Sequence, residues 1–180
     1  MVNRIPVKRI IFKEILDGDR KKFDARSNDT QSGGGARDLR FSPYSSFQPV
    51  FEGMFPHINE KGVASGQFHW YENEQEVSKS AFFHPPTGSR GNEGRIANID
   101  KFLPKERIPS VNEGTVFLLL IQDNNGKVWP SFATETSLLN DWHEGVKDMI
   151  LSCHSSKRRA NSATTGFVDF EQGGGFCNHD

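Results

Sequence analysis

Two loops of this chain carry side chains able to read hydrogen-bonding groups on another molecule. The stretch 84–95, HPPTGSRGNEGR, crowds Ser89, Arg90, Asn92, Glu93 and Arg95 among glycines. The stretch 32–41, SGGGARDLRF, brings Ser32 and then Arg37, Asp38 and Arg40 after three glycines. A guanidinium donates two parallel hydrogen bonds that match O6 and N7 of guanine, a carboxylate accepts from N4 of cytosine, and an Asn amide pairs with adenine. Arginine, acid and asparagine together therefore form a kit for reading base edges in the major groove of duplex DNA. Glycine lets backbone come close to bases and phosphates. Lys21, Lys22, Arg26 and Arg90 can hold phosphates, which sets affinity but not sequence. The same composition also makes an ordinary solvated loop.

The residues for bond-breaking chemistry are sparser. His69, His84, His143 and His154 are scattered, and no HExxH, GxSxG, Walker loop or GxGxxG before a helix occurs. A metal nuclease sets an acid and an acid-x-Lys triplet on adjacent strands to hold a divalent ion and activate water. Asp17, Asp19 and Lys21 are close in sequence, but their Gly-containing turn lacks that strand frame. The expectation is no catalytic residue, no metal ligand and no cofactor; the alternatives are a small Mg-dependent nuclease or a barrel module that binds another partner.

The elements that must carry the two loops are mostly strands. Residues 5–16 read as a strand or short helix, Asp17-Gly18-Asp19 as a turn, 22–26 as a strand, 27–36 as a loop, and 38–41 as a strand. SSFQPVFEGMF (45–55) has helical spacing of Phe47, Val50, Phe51 and Met54 behind serine caps, with Pro49 in the first turn. Residues 66–72 and 76–83 read as strands, with Phe68 and Trp70 on one face. A short strand follows over 95–99. Residues 115–122 and 127–133 flank Asp-Asn-Asn-Gly and form the clearest hairpin. Leu138, Leu139, Trp142, Val146, Met149 and Ile150 share a face and predict one helix from 136/137 to 153. About seven strands and two helices suit a mainly β, open barrel plugged by helices. The domain spans 1–155, and 156–180, basic and then Gly-rich, reads as a linker or irregular tail.

Bulk composition bounds the partners. A chain of 180 residues can bury about 70% of its unfolded surface in a single core. Fifteen Phe against two Tyr point to a core filled by rings. The net charge of -1 favours no partner, but residues 1–40 hold ten Lys or Arg against six acids, a local surface able to attract a polyanion. Two distant cysteines, Cys153 and Cys177, without CxxC or Cys/His spacing, read as reduced thiols of a cytoplasmic protein. The N-terminus has no apolar signal-peptide core, and the longest apolar run, 116–121, is too short to span a bilayer, so no membrane partner is expected.

Taken in order, these segments resemble one family. From about residue 22 to 150 the chain resembles the N-terminal effector domain of EcoRII-type restriction endonucleases, which shares the pseudobarrel of plant B3-like DNA-binding domains. The matching pieces are Phe23 to Thr30 (FDARSNDT), Ser32-Gly33-Gly34, Leu39, Phe55-Pro56, Gly91-Asn92-Glu93-Gly94-Arg95-Ile96 and the apolar hairpin 115–133. The resemblance implies a seven-stranded DNA-binding pseudobarrel. It also implies sequence-specific binding of double-stranded DNA by two arms that grip the major groove, in a restriction-modification system where a covalently linked nuclease domain cuts. The resemblance places the N-arm at 26–40 and the C-arm at 85–95, where Asn92, Glu93 and Arg95 match the family's positions directly. Arg37, Asp38 and Arg40 are candidates for the N-arm on hydrogen-bonding capacity alone, and Arg26, Asn28, Ser32, Ser89 and Arg90 are further DNA-binding candidates on the two arms. Lys22 would hold a phosphate. The arms also differ from the founding member's: Gly35 and Arg40 stand where it reads bases with His and Tyr, and Gly91 and Gly94 replace two cations.

Overall fold

A strand buried on one face alternates apolar and polar residues; two strands here lose that alternation, and they divide the core in two. The computed structural model of the protein describes residues 6–23, 38–97, 99 and 105–180. In chain order its elements are β1 (Val7–Glu14), α1 (Asp17–Phe23), β2 (Leu39–Phe41), α2 (Tyr44–Met54), β3 (His57–Ile58), β4 (Ala64–Glu72), β5 (Gln75–His84), β6 (Gly94–Ile96), β7 (Val116–Asp123), β8 (Val128–Thr134), α3 (Glu135–Asp141), α4 (Glu144–Ser155), β9 (Thr165–Asp169) and β10 (Gly175–Cys177). The strands form one sheet in the order β10-β9-β1-β7-β8-β4-β5-β6-β2, with β3 on β4, curled into a half-barrel. Ladders are antiparallel except β4 with β8.

Strands β1 and β7 pair at the middle of this path and are buried on both faces. Ile11, Ile15, Val116, Leu118 and Leu120 point into the curl, against Phe41, Phe47, Phe51, Phe55, Phe68 and Phe83. Ile10, Phe12, Phe117 and Leu119 point the other way, against Leu138, Val146 and Ile150 of α3 and α4. A strand with two dry faces favours a near-continuous apolar run, as 116–121 shows, although β1 buries Arg9, Lys13 and Glu14 along its length. The rings in the curl interlock. Phe51 stacks on Phe83 with centroids 3.8 Å apart, and Phe41 meets Phe47 and Phe51 edge-on or tilted. Helix α2 plugs the curl with Phe47, Val50, Phe51 and Met54. Its N-cap is Pro43, without a side-chain cap, and Pro49 lies a turn deeper than expected.

The structure corrects several expectations. The fold class is mainly β as read, but ten strands and four α-helices replace seven and two among the described residues. Asp17-Gly18-Asp19 opens α1 rather than making a free turn, and 22–23 end that helix instead of starting a strand. The helix expected over 136–153 breaks at Trp142, whose backbone is extended, and His143 caps α4 by accepting from Gly145 N–H. Leu139 turns outward at 58% exposure as a result. Residues 156–180 are not an irregular tail, because β9 pairs with β1 and β10 with β9. Short, Gly-flanked strands need a sheet edge to reveal them, and β1 supplies it. The docking of β10 brings Cys177 to Cys153 of α4, with Cα atoms 5.6 Å apart, and a disulfide joins them. The thiols are therefore not reduced, and the cysteine argument for a cytoplasmic compartment falls away. No helix among the described residues is long and apolar enough to cross a membrane.

Candidate functional site

The far end of the sheet brings residues 38–41 beside residues 93–96. Strand β2 follows the first loop and β6 ends the second, and they pair antiparallel with Leu39 opposite Ile96, Arg40 opposite Arg95 and Phe41 opposite Gly94. Leu39, Phe41 and Ile96 are apolar and enter the core. Gly94 is required there, since a Cβ would collide with the Phe83 ring and press on Tyr44. Strand alternation then forces Arg40 and Arg95 onto the opposite face, together with Asp38 and Glu93 two residues before each. On neighbouring β5, His84 sits opposite Arg95 and joins that face.

Two arginines directly across a ladder repel each other. Acids on the diagonals offset the repulsion. Arg40 Nη1 donates to Glu93 Oε2 at 2.7 Å, and Arg95 Nε lies 3.8 Å from Asp38 Oδ2. Each pair crosses from one loop to the other. Arg90 approaches the same Glu93 oxygen at 3.9 Å. Asp38 is buried, at 4% exposure. Its Oδ2 and Arg95 Nε are both shut from solvent, yet neither has a hydrogen-bond partner. At 3.8 Å the pair attracts without forming a hydrogen bond.

Lysines close the inner side of this corner. Lys22 Nζ donates to the Asp38 carbonyl at 2.8 Å and to Asp19 Oδ1 at 3.1 Å, tying α1 to the start of β2. Lys13 points into the curl with its ammonium 5.6 Å from the Phe41 ring centroid. Burial drives its pKa below that of an ordinary lysine; Asp19, Glu14 and Glu93 oppose this, and Lys22 adds to it. Burial, and then the charge of Arg95, hold His84 below the usual histidine range against the pull of Asp38.

No family model, curated protein or solved structure matches this chain. The residues themselves carry what can be said of the site.

Of the residues singled out from sequence, Asp38, Arg40, Arg90, Glu93 and Arg95 meet in one cluster, and Lys22 reaches it through the Asp38 carbonyl. Ser89 and Asn92 are exposed in the 85–93 loop, and the Asn92 carbonyl accepts from Tyr44 N–H at 2.9 Å, fastening the loop to α2. Arg26, Asn28, Ser32 and Arg37 lie outside the described residues. Sequence reading missed His84 and Lys13. The signal for His84 was its place two residues after Phe82 on a strand. For Lys13 it was a lysine set in the apolar run IIFKEI.

Away from the core, β4 and β5 carry an open groove of about 510 Å³, lined by His57, Gln67, His69, Ser80, Phe82 and Lys127 among others. Glu76 binds both His69 and Lys127 beside it.

Proposed function

We propose that this protein binds double-stranded DNA in a sequence-specific way, gripping the major groove with the loops that precede β2 and β6. The reading extends to a DNA-binding pseudobarrel acting as the effector or recognition module of a restriction endonuclease, with cleavage supplied elsewhere. One observation carries it. Two guanidiniums, from β2 and β6, and two carboxylates just before those strands, distant in sequence, converge on one face at the end of the sheet. Guanidinium forks suit guanine, and the two acids keep the cluster from being a plain polyanion trap. Lysines and arginines around it supply phosphate contacts that make binding salt-dependent.

The test is a mobility-shift selection at moderate salt with the 180-residue chain and a random-sequence duplex pool. Selective binding enriches a short site containing G·C pairs, with affinity at least about a thousandfold above random duplex. Equal affinity for every duplex in the pool sinks the reading. The same mixtures with Mg²⁺ should leave the DNA uncut.

A further inference from the structure

We infer that Asp38 and Glu93 are positioning residues, each holding the arginine of the opposite loop, and that Arg95 and Arg40 do the reading, on neighbouring guanines. The inference rests on the DNA-binding proposal above.

Burial decides the role of Asp38. Its side chain is 6% exposed, too deep to meet a base edge, whereas the Arg95 side chain facing it is 30% exposed. The closest approach of Asp38 is to the inner nitrogen, Nε, rather than to the outer amines that would meet a base. A charge held at 3.8 Å without a hydrogen bond fixes where the guanidinium sits but lets the fork turn to meet a base. Glu93 is occupied differently. It accepts from Arg40 at 2.7 Å and faces Arg90 at 3.9 Å, so a cytosine amine would have to displace a guanidinium to reach it.

The register sets the spacing of the readers. Arg40 and Arg95 are directly opposed in an antiparallel ladder, where Cα atoms stand about 4.5–5.5 Å apart. That separation suits two neighbouring base pairs, stacked about 3.4 Å apart along the duplex. The two diagonals, Arg40 to Glu93 and Arg95 to Asp38, are related by the local two-fold of the ladder. The same diagonal pairing is therefore made twice, with a hydrogen bond between Arg40 and Glu93 and none between Arg95 Nε and Asp38 Oδ2.

The experiment takes the site selected from the random pool and measures discrimination at each base pair, along with random-duplex affinity and salt slope. The variants are Arg95→Ala, Asp38→Asn, Asp38→Glu, Glu93→Gln, Arg40→Ala and the double variant Asp38→Asn with Arg95→Ala. Two neighbouring G·C pairs are expected in the site. Arg95→Ala should lower preference at one of them roughly 10- to 100-fold. Asp38→Asn should lower preference at that same pair roughly 10-fold, with random-duplex affinity unchanged or raised because an acid is lost. Asp38→Glu should restore part of the preference, and the double variant should be no worse than Arg95→Ala alone. Glu93→Gln should repeat the pattern at the guanine read by Arg40, an independent arm of the test should Asp38→Asn fail to fold. A loss at a base pair other than the arginine's, additive effects in the double variant, or no neighbouring guanines in a selected site overturns this inference alone. A chain that selects no duplex sinks the DNA-binding proposal and this inference with it.

Discussion

Two corners of the molecule hold buried carboxylates beside cations, and they treat them in opposite ways. At the β1–β9 side, Glu14 accepts from Lys157 Nζ at 2.8 and 2.9 Å and from Thr164 N–H at 3.0 Å. Towards the other end of β1, Arg9 donates to Gln122 at 2.6 Å, Asp169 at 3.2 Å and Glu171 at 2.5 Å. At the β2–β6 side, Asp38 and Arg95 face each other 3.8 Å apart, each with an atom that is buried and makes no hydrogen bond. A buried charge is costly unless its hydrogen bonds are made. The first corner meets that requirement and works as structure. The second stays short of it where β2 and β6 meet, and its two charges attract each other without a hydrogen bond.

The contrast can be broken most directly at Glu14. Glu14→Ala leaves the Lys157 ammonium and Thr164 N–H without their acceptor and should cost about 3–5 kcal/mol in denaturant unfolding. DNA preference should persist wherever the variant remains folded. A loss below about 1 kcal/mol would mean that the two corners do not differ. Next in size is the staple beside it. Reducing the Cys153–Cys177 bond, which closes a loop of 24 residues, should cost roughly 3 kcal/mol. The effect should appear as lost hydrogen-exchange protection in β9 and β10, with β2 and β6 unchanged. Equal loss in both places would join the corners into a single unit.

Lys13 sharpens the comparison from inside the curl. Its pKa is lowered, chiefly by burial, so the fold binds this proton less tightly than the unfolded chain does. Its contribution to stability is complete above the ordinary lysine pKa and is lost as pH falls through the folded value. An ammonium is costly to hold in this buried site, so Lys13→Met should stabilise the protein by about 1 kcal/mol in urea unfolding. A destabilised variant would show that Asp19 and Glu93 depend on that charge. The smallest effect belongs to His84, lowered by burial and then by Arg95. Its stability contribution is full above about pH 6.5 and fades as pH falls through the folded pKa. His84→Gln should flatten thermal stability between pH 7 and 5 relative to wild type, and an unchanged slope would remove His84 from the cluster.

Much of the frame is legible residue by residue. The hairpin of β7 and β8 is announced by Asp123, Asn124, Asn125 and Gly126. Asp123 Oδ1 accepts from Asn125 and Lys127 N–H, and Gly126 takes the positive φ of 86° that closes the turn. Helix α2 shows itself through Phe47, Val50, Phe51 and Met54, all buried. The tail misleads because Thr165 to Asp169 becomes a strand only beside β1, and Cys153 meets Cys177 only after β10 has docked. The long helix misleads because spacing alone does not register the cap at His143. In the candidate site, the arginines and acids stand out by type, but their pairing does not.

Local chemistry in the chain was enough to assign which residues alternate in the strands, close the β7–β8 turn and fill the core, because those preferences act over a few neighbouring peptide units. The period of a strand also dictates that Asp38 and Arg40 share a face, as do Glu93 and Arg95. It does not name the strand alongside. Arg40 and Glu93 are 53 residues apart, and whether they meet depends on which sheet edge is free once Phe41, Phe83 and α2 have packed. The crossing of the two ion pairs, and with it the site, was decided by that packing.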